Sequence, residues 1–397
     1  MKYTTNDYFV FLVLSAIVRG SHTFEEIIRN CGGLYPLELK DVLDYLITKR
    51  HIEYIDNQYF SIGDSHRFDL PKPHPHDFDW RFDARTTEMI AALVKNESLL
   101  NGSALMVGTP TIFTYLIKHY PSTHSILIDN NKSLIESVRQ LLPPDSNRVV
   151  HCNLLSGKLC ELAQKVDVTV IDPPWYTEYY RAFLAQGAYA THSGGSVVVS
   201  FLPMNTRPGA IEDRRKIIHV AHNLGLHIYA LQPEQVGYVS PDFETNSLKQ
   251  KGINISDNWR NGDLLLFKKA IDVGIDKIQK VISSCQVNDD GDEWSEFLLG
   301  RYKIKIRNLQ DDEAEPEIIS IVPNDTLETV SRRHALRSKV DLWLWNNKVY
   351  GLKGKKYFVY ALHEISGKYL EKSTSINETH VQSAKKQLID LFMNENK

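Results

Sequence analysis

The stretch Val166-Asp167-Val168-Thr169-Val170-Ile171-Asp172-Pro173-Pro174-Trp175-Tyr176 constrains the fold of this chain most. Its apolar, β-branched half reads as a strand buried on both faces, the kind that occupies parallel sheets covered by helices. Pro173 and Pro174 end that strand, because neither can donate to a ladder and both fix φ. The expected product is a stiff lip at the carboxyl end of a parallel strand, where open α/β sheets hold their ligands. Asp172 and the carbonyl of Pro173 would both accept hydrogen bonds from an amino group there. Trp175 would offer a flat face to a planar group.

Strand and helix patterns alternate on either side of this lip, from Ala84 to Lys269. Ala104 to Gly108 reads as a buried strand ending in glycine, and Ser125 to Asp129 as a second ending in a carboxylate. Arg148 to Cys152 is a third, leading to Asn153, and Asp167 to Ile171 is the fourth. Gly194-Gly195 marks a break before a fifth, Ser196 to Phe201. His227 to Leu231 and Asp263 to Phe267 complete seven, and the last two are able to pair as an antiparallel edge. Helical periodicity covers Thr86 to Leu99, Thr111 to His119, Lys132 to Leu142, Tyr176 to His192 and Arg214 to Leu224. Such alternation predicts an α/β doubly wound sheet.

In this setting Asp172-Pro173-Pro174-Trp175 resembles the Asp-Pro-Pro-(Tyr/Trp/Phe) motif of S-adenosylmethionine-dependent methyltransferases of the N6-adenine type. In those enzymes the motif follows the fourth strand of a Rossmann-like seven-stranded fold. The resemblance implies catalytic roles for Asp172, Pro173, Pro174 and Trp175, which would hold an amino nitrogen in line with the sulfonium methyl. It also implies cofactor contacts. Gly108 and Thr109 would lie at the methionine end, Asp129 would accept both ribose hydroxyls, and Asn153 would face the adenine amino group. Asp129 has a plainer reading as the cap of the helix that follows it. Tyr176, Tyr179 and Phe201 would line the acceptor pocket, although clustered aromatics also pack helices on sheets.

The resemblance has one departure. Val107-Gly108-Thr109-Pro110-Thr111 carries a single glycine where that family has a glycine-rich loop. The turn is closer to a subgroup with Ser/Thr-Pro-Ser/Thr that includes protein-lysine methyltransferases. The chain also resembles branched-chain polyamine synthases, which transfer an aminopropyl group, but it lacks their acidic cluster after the first strand. A catalytically inactive binding module is the third reading.

Four segments are expected. Residues 1–63 show three helical stretches and then an alternating segment about Asp56-Asn57, which together resemble a winged helix. Residues 64–83, with Pro71, Pro73 and Pro75, read as a linker. His74, His76 and Asp77 within it are potential ligands, but nothing nearby completes a site, so no metal is expected. Residues 84–269 form the methyltransferase domain, and 270–397 a small α+β domain with strand-like pieces that include Tyr357 to Leu362. In that last domain Arg332 to Tyr357 interleaves Arg332, Arg333, Arg337, Lys339 and Lys348 with Trp343, Trp345 and Tyr350. Cations and flat side chains in one stretch suit nucleic-acid target recognition, and the plainer reading is a basic surface on a half-buried sheet. The acidic run Asp289 to Glu293 reads as a solvated turn.

With a net charge of only −3, a general electrostatic grip on nucleic acid is not indicated, and any basic surface must be local. Cys31, Cys152, Cys160 and Cys285 lack Cys-x-x-Cys spacing, which argues against a zinc module and fits a reducing compartment. The longest early apolar run, Tyr8 to Val18, is too short to span a bilayer. A cytoplasmic enzyme with nucleic acid or another protein as its partner is the expectation.

Overall fold

A computed structural model describes residues 7–18, 21–48, 52–55, 57–61, 70–98, 102–255, 259–285, 294–308, 313–330, 334–367 and 376–395. Asp56, Asp289 to Glu293, Arg332 and Arg333 lie outside these. The chain divides into two compact units. The first comprises 1–68, 81–239 and 258–287; the second comprises 69–80, 240–257 and 288–397.

The first unit begins with helices α1 (Asp7–Val18), α2 (Phe24–Asn30) and α3 (Pro36–Thr48) and the antiparallel hairpin β1 (Ile52–Ile55) and β2 (Gln58–Ser61). Helix α2 starts where a capping box forms. Thr23 Oγ1 accepts from the Glu26 amide, and Glu26 Oε2 accepts from that of Thr23 at 3.0 Å. Val13, Ile17, Ile27, Leu39, Val42, Leu43 and Leu46 form a dry cluster that extends to Ala92 of helix α4 (Ala84–Glu97). Contact with α4 makes this bundle part of the first unit.

The central sheet follows: β3 (Arg81–Phe82), β4 (Ser103–Val107), α5 (Pro110–His119), β5 (His124–Asp129), α6 (Lys132–Arg139), β6 (Val149–His151), β7 (Val166–Ile171), α7 (Thr177–Ala190), β8 (Thr191–Phe201), α8 (Ala210–Asn223) and β9 (Leu226–Val239). Helix α9 (Asp242–Gln250) belongs to the second unit, and the sheet resumes with β10 (Asn261–Lys269), followed by α10 (Ile275–Ser283). The spatial order is β3-β9-β10-β8-β7-β4-β5-β6, with β4 to β8 parallel and β10 antiparallel to both β8 and β9. This is a Rossmann-like doubly wound sheet, with the antiparallel edge that the last two strand patterns predict.

The sheet has eight strands rather than seven. Arg81 and Phe82, read from sequence as linker, pair with Val239 and Tyr238 at the edge; a two-residue strand carries no alternation to detect. The expected break at Gly194-Gly195 is also absent, because β8 runs straight through it. A Cβ on Gly195 would stand 2.5 Å from the Asp167 carbonyl and 2.6 Å from Thr191 Cγ2. Glycine is there because the neighbouring backbone comes too close for any side chain. Gly195→Val should therefore lower stability by about 1–3 kcal/mol, the usual cost of overpacking, measured as a shifted denaturant midpoint.

The second unit holds β11 (Trp294–Leu299), β12 (Tyr302–Arg307), β13 (Glu317–Ser320), β14 (Leu342–Leu344) and β15 (Val349–Lys353), in the order β11-β12-β14-β15-β13. Helices α11 (Lys355–Ile365) and α12 (Glu378–Glu395) contribute to its core. Tyr357 to Leu362, expected as a strand, lies within α11. Tyr357, Phe358, Ala361 and Leu362 are buried at helical spacing after Gly354, whose φ is +61°. Trp343, Trp345 and Tyr350 are buried as well. The stretch from Arg332 to Tyr357 therefore keeps its aromatics in the core rather than presenting them as stacking faces. Residues 70–80 are no extended spacer. His74 is fully buried, its Nε2 3.1 Å from the Trp343 carbonyl, and Asp77 pairs with Lys303 and Lys305. Among the described residues no group of three or more His, Cys, Asp or Glu is arranged to hold a metal, and no helix is long and apolar enough to cross a membrane.

Candidate active site

The carboxyl ends of β4, β5 and β7 converge, and each strand stops at a polar or flexible residue. Gly108 leaves β4 with φ +66°, and its amide donates to the Ile128 carbonyl at 2.9 Å. The Asp172 amide donates to the Val107 carbonyl at 3.2 Å, so Gly108 and Asp172 lie side by side. A Cβ on Gly108 would meet the Phe183 ring at 3.2 Å and the Asp172 carbonyl at 3.4 Å. The turn therefore needs glycine both for its left-handed backbone and for its closeness to the lip. Thr109 is buried, and its hydroxyl has no partner among the described residues, a condition that ordinarily costs about 1–3 kcal/mol.

Asp129 ends β5 half-exposed, its Oδ1 accepting from the Asn131 amide at 2.8 Å. The cap of α6 is Asn131, whose side chain accepts from the Leu134 amide. Asp129 thus does not serve as the helix cap that its plainer reading assigns. Asn153 is half-buried, and its Oδ1 accepts from the Leu155 amide at 2.9 Å, opening a short turn over Leu154–Ser156. The oxygen expected to face an adenine amino group is already engaged by the chain, leaving that role to its second lone pair.

The lip is held from behind by a residue that the sequence reading missed. Tyr238 on β9 donates its phenol to Asp172 Oδ1 at 2.7 Å, and the Tyr238 phenol oxygen in turn accepts from Ser200 Oγ on β8. Burial, then the neighbouring Asp172 charge, push the Tyr238 phenol well above its ordinary range, so it stays a donor. Tyr180 is shifted the same way by the same two causes. It donates to the Ser200 carbonyl at 3.0 Å and accepts from the Leu202 amide at 2.9 Å. Three strands and α7 therefore fix one carboxylate orientation. Tyr238→Phe should reduce turnover about ten- to hundredfold at unchanged cofactor affinity, since hydrogen bonds to charged groups contribute about 1.5–3 kcal/mol. Steady-state kinetics beside calorimetric titration checks it.

Trp175 meets Tyr238 edge-on, with ring centroids 6.0 Å apart, and the Arg260 guanidinium lies 4.9 Å from its ring centre. Tyr176 precedes α7, with the Arg207 guanidinium 5.8 Å from its ring. Pro173 is buried and Pro174 half-buried, as a rigid strand exit requires. Tyr176 is half-buried, whereas the other two aromatics expected to line an acceptor pocket are core residues. Tyr179 is nearly enclosed in the core. Phe201 is fully buried between the Tyr180 edge at 5.8 Å and the Arg214 guanidinium at 4.3 Å, beyond reach of any acceptor.

Comparison with known families then addresses the same segment. Residues 79–245 match the family described as Probable N6-adenine methyltransferase. The matched residues run from before β3 to within α9 and include the whole Asp172 lip and Tyr238. No curated protein matches the chain. Among solved structures, the branched-chain polyamine synthase of Thermus thermophilus in complex with N4-aminopropylspermidine and 5'-methylthioadenosine is similar at 12% identity. That match has a TM-score of 0.42 and covers 67% of this chain and 89% of that one. A Pyrococcus horikoshii protein provisionally described as an RNA methyltransferase is similar at 14% identity, with a TM-score of 0.37 over 51% of this chain and 93% of its own.

Proposed function

We propose that this protein transfers a methyl group from S-adenosylmethionine to an amino nitrogen, with adenine N6 in nucleic acid as the acceptor. The observation that carries this reading is the Asp172 carboxylate, oriented by Tyr238 at the carboxyl end of β7 and adjacent to the Gly108 turn of β4. S-adenosylmethionine supplies an electrophilic sulfonium methyl when bound. Asp129 would take the ribose hydroxyls, a diol matched by two carboxylate oxygens. Asn153 would lie by the adenine, and the Gly108-Thr109 turn by the methionine end. The partnerless Thr109 hydroxyl is a polar group that such a ligand would satisfy, and the Asp129 carboxylate is half-exposed at the end of β5, the next strand in sequence.

The protein's own contribution is placement. Asp172 accepts a hydrogen bond from the acceptor N–H and aims the nitrogen lone pair, and the Pro173 carbonyl takes a second. Trp175 flanks the acceptor ring. For a base in a duplex, this means extrusion from the stack. Near-attack placement supplies up to about 7–11 kcal/mol in model systems, and the proton that the alkylated nitrogen must shed would leave through Asp172 to solvent.

Transfer to protein lysine or of an aminopropyl group is the second reading. Against a polycationic acceptor stand the Thr109-Pro110-Thr111 turn, which replaces an acidic cluster, and the two guanidinium groups over Trp175 and Tyr176. The N-terminal helices and hairpin suit a winged-helix module for docking the target or a protein partner. Four unpaired cysteines accord with a cytoplasmic setting. Isothermal titration with S-adenosylmethionine is the first test. Saturable 1:1 binding supports the enzyme reading, and no binding at millimolar cofactor leaves the inactive-module reading.

A further inference from the structure

The segment Trp259-Arg260 just before β10 takes no part in the chemistry described so far, yet it touches the lip. The Arg260 guanidinium carbon is 4.9 Å from the Trp175 ring centre and 5.0 Å from that of Trp259. Its backbone carbonyl accepts from the Tyr238 amide at 3.1 Å, tying the segment to the residue that orients Asp172. Gly262 completes the approach, since a Cβ there would come 3.6 Å from Trp175 Cζ2. Trp259 is 41% exposed, and the register between β9 and β10 shifts just after Gly262.

We propose that Trp259 and Arg260 form the subsite for the nucleotide next to the acceptor adenine, with Arg260 on its phosphate and Trp259 stacked on its base. This rests on the nucleic-acid reading above and names the residues that would read the strand. A guanidinium lying over two indole rings is held in place by them, and its planar set of five donors is the fork that suits a phosphate. A half-exposed indole beside that fork is the flat platform on which single-stranded bases stack. The same guanidinium repels a polyamine, so one residue would favour an anionic acceptor and disfavour a cationic one. Arg260 would be a positioning residue, because it reaches the reacting nitrogen only through Trp175 and the strand.

The test uses the full chain and a fluorescein-labelled, adenine-containing single-stranded oligonucleotide. Binding is followed by anisotropy across a salt series, and S-adenosylmethionine affinity by calorimetry. Arg260→Ala should weaken oligonucleotide binding about tenfold and reduce the salt slope by about one, while cofactor affinity stays unchanged. Trp259→Ala should weaken binding about five- to hundredfold without altering that slope, and Arg260→Lys should restore the slope. If the parent protein binds the oligonucleotide and Arg260→Ala matches it in affinity and slope, the subsite is overturned and the nucleic-acid reading stands. Loss of cofactor affinity in Arg260→Ala also overturns it, by showing that Arg260 only shapes the lip. If the parent protein neither binds nor methylates the oligonucleotide, both readings fail together.

Discussion

Asp172→Ala should abolish methyl transfer, lowering turnover by about 10³-fold or more, while cofactor affinity and the unfolding midpoint stay near those of the parent. Asp172 is the carboxylate of the lip, placed to accept a hydrogen bond from an acceptor amine and fix its direction. Without it the nitrogen still enters, but the near-attack geometry is lost, and losing a few kcal/mol of placement costs several powers of ten in rate. The fold should persist for two reasons. Asp172 is half-exposed, so its removal leaves no sealed cavity, and Tyr238 keeps its hydrogen bond to Ser200. Asp172→Asn keeps the shape but turns donors toward the amine. It should lose about 10²- to 10³-fold, more than Tyr238→Phe. Single-turnover measurements with labelled cofactor resolve that order.

Asp77→Ala should be the most destabilising single change in the second unit, by about 3–5 kcal/mol. Lys303 Nζ is 2.6 Å from Asp77 Oδ2, Lys305 pairs with the other oxygen, and Glu296 lies 3.4 and 3.5 Å from the two ammonium groups. The Lys303 side chain is 1% exposed, so deleting Asp77 takes the nearest carboxylate away from a buried ammonium. Burial alone would raise the Asp77 carboxyl, but Lys303 and then Lys305 override it and hold the group well below the usual carboxylate range. A folded-state pKa below the unfolded one gives stability that is present above about pH 4 and is lost only as pH falls through the lower folded value. His74 is shifted down by burial, so its share is present above about pH 6.5 and declines as the unfolded state takes up protons below that. Denaturant midpoints of this unit should therefore begin to fall near pH 6, before the Asp77 cluster fails. Asp77→Ala should show its deficit already at pH 7.

The Asp172 lip is legible because everything that defines it is local. A β-branched run, a carboxylate and two prolines within eleven residues leave one conformation and one place in a parallel sheet. The parallel strands and the antiparallel edge followed from alternation over segments long enough to show it. What escaped was set by contacts distant in sequence. Tyr238 lies 66 residues beyond Asp172, on a strand whose visible pattern ends at Leu231 because Pro233 interrupts it. Phe201 looked like a site residue from its place at the end of β8, but its side chain points to the face already filled by Tyr180 and Arg214. Trp343 and Trp345 looked like a nucleic-acid surface because their neighbours are cationic, yet they are core. Charged neighbours say nothing about which side of a sheet an indole occupies.

On this account Asp172, set by Tyr238 beside the Gly108 turn, holds an adenine amino nitrogen in place to take the methyl group of S-adenosylmethionine. The most direct measurement is incubation of the full chain with methyl-labelled S-adenosylmethionine and adenine-containing single-stranded oligonucleotide, followed by nucleoside mass spectrometry. The account predicts labelled N6-methyladenine that accumulates with the parent protein and is absent with Asp172→Ala. Undiminished product from Asp172→Ala, or label recovered only in protein or polyamine, would contradict it.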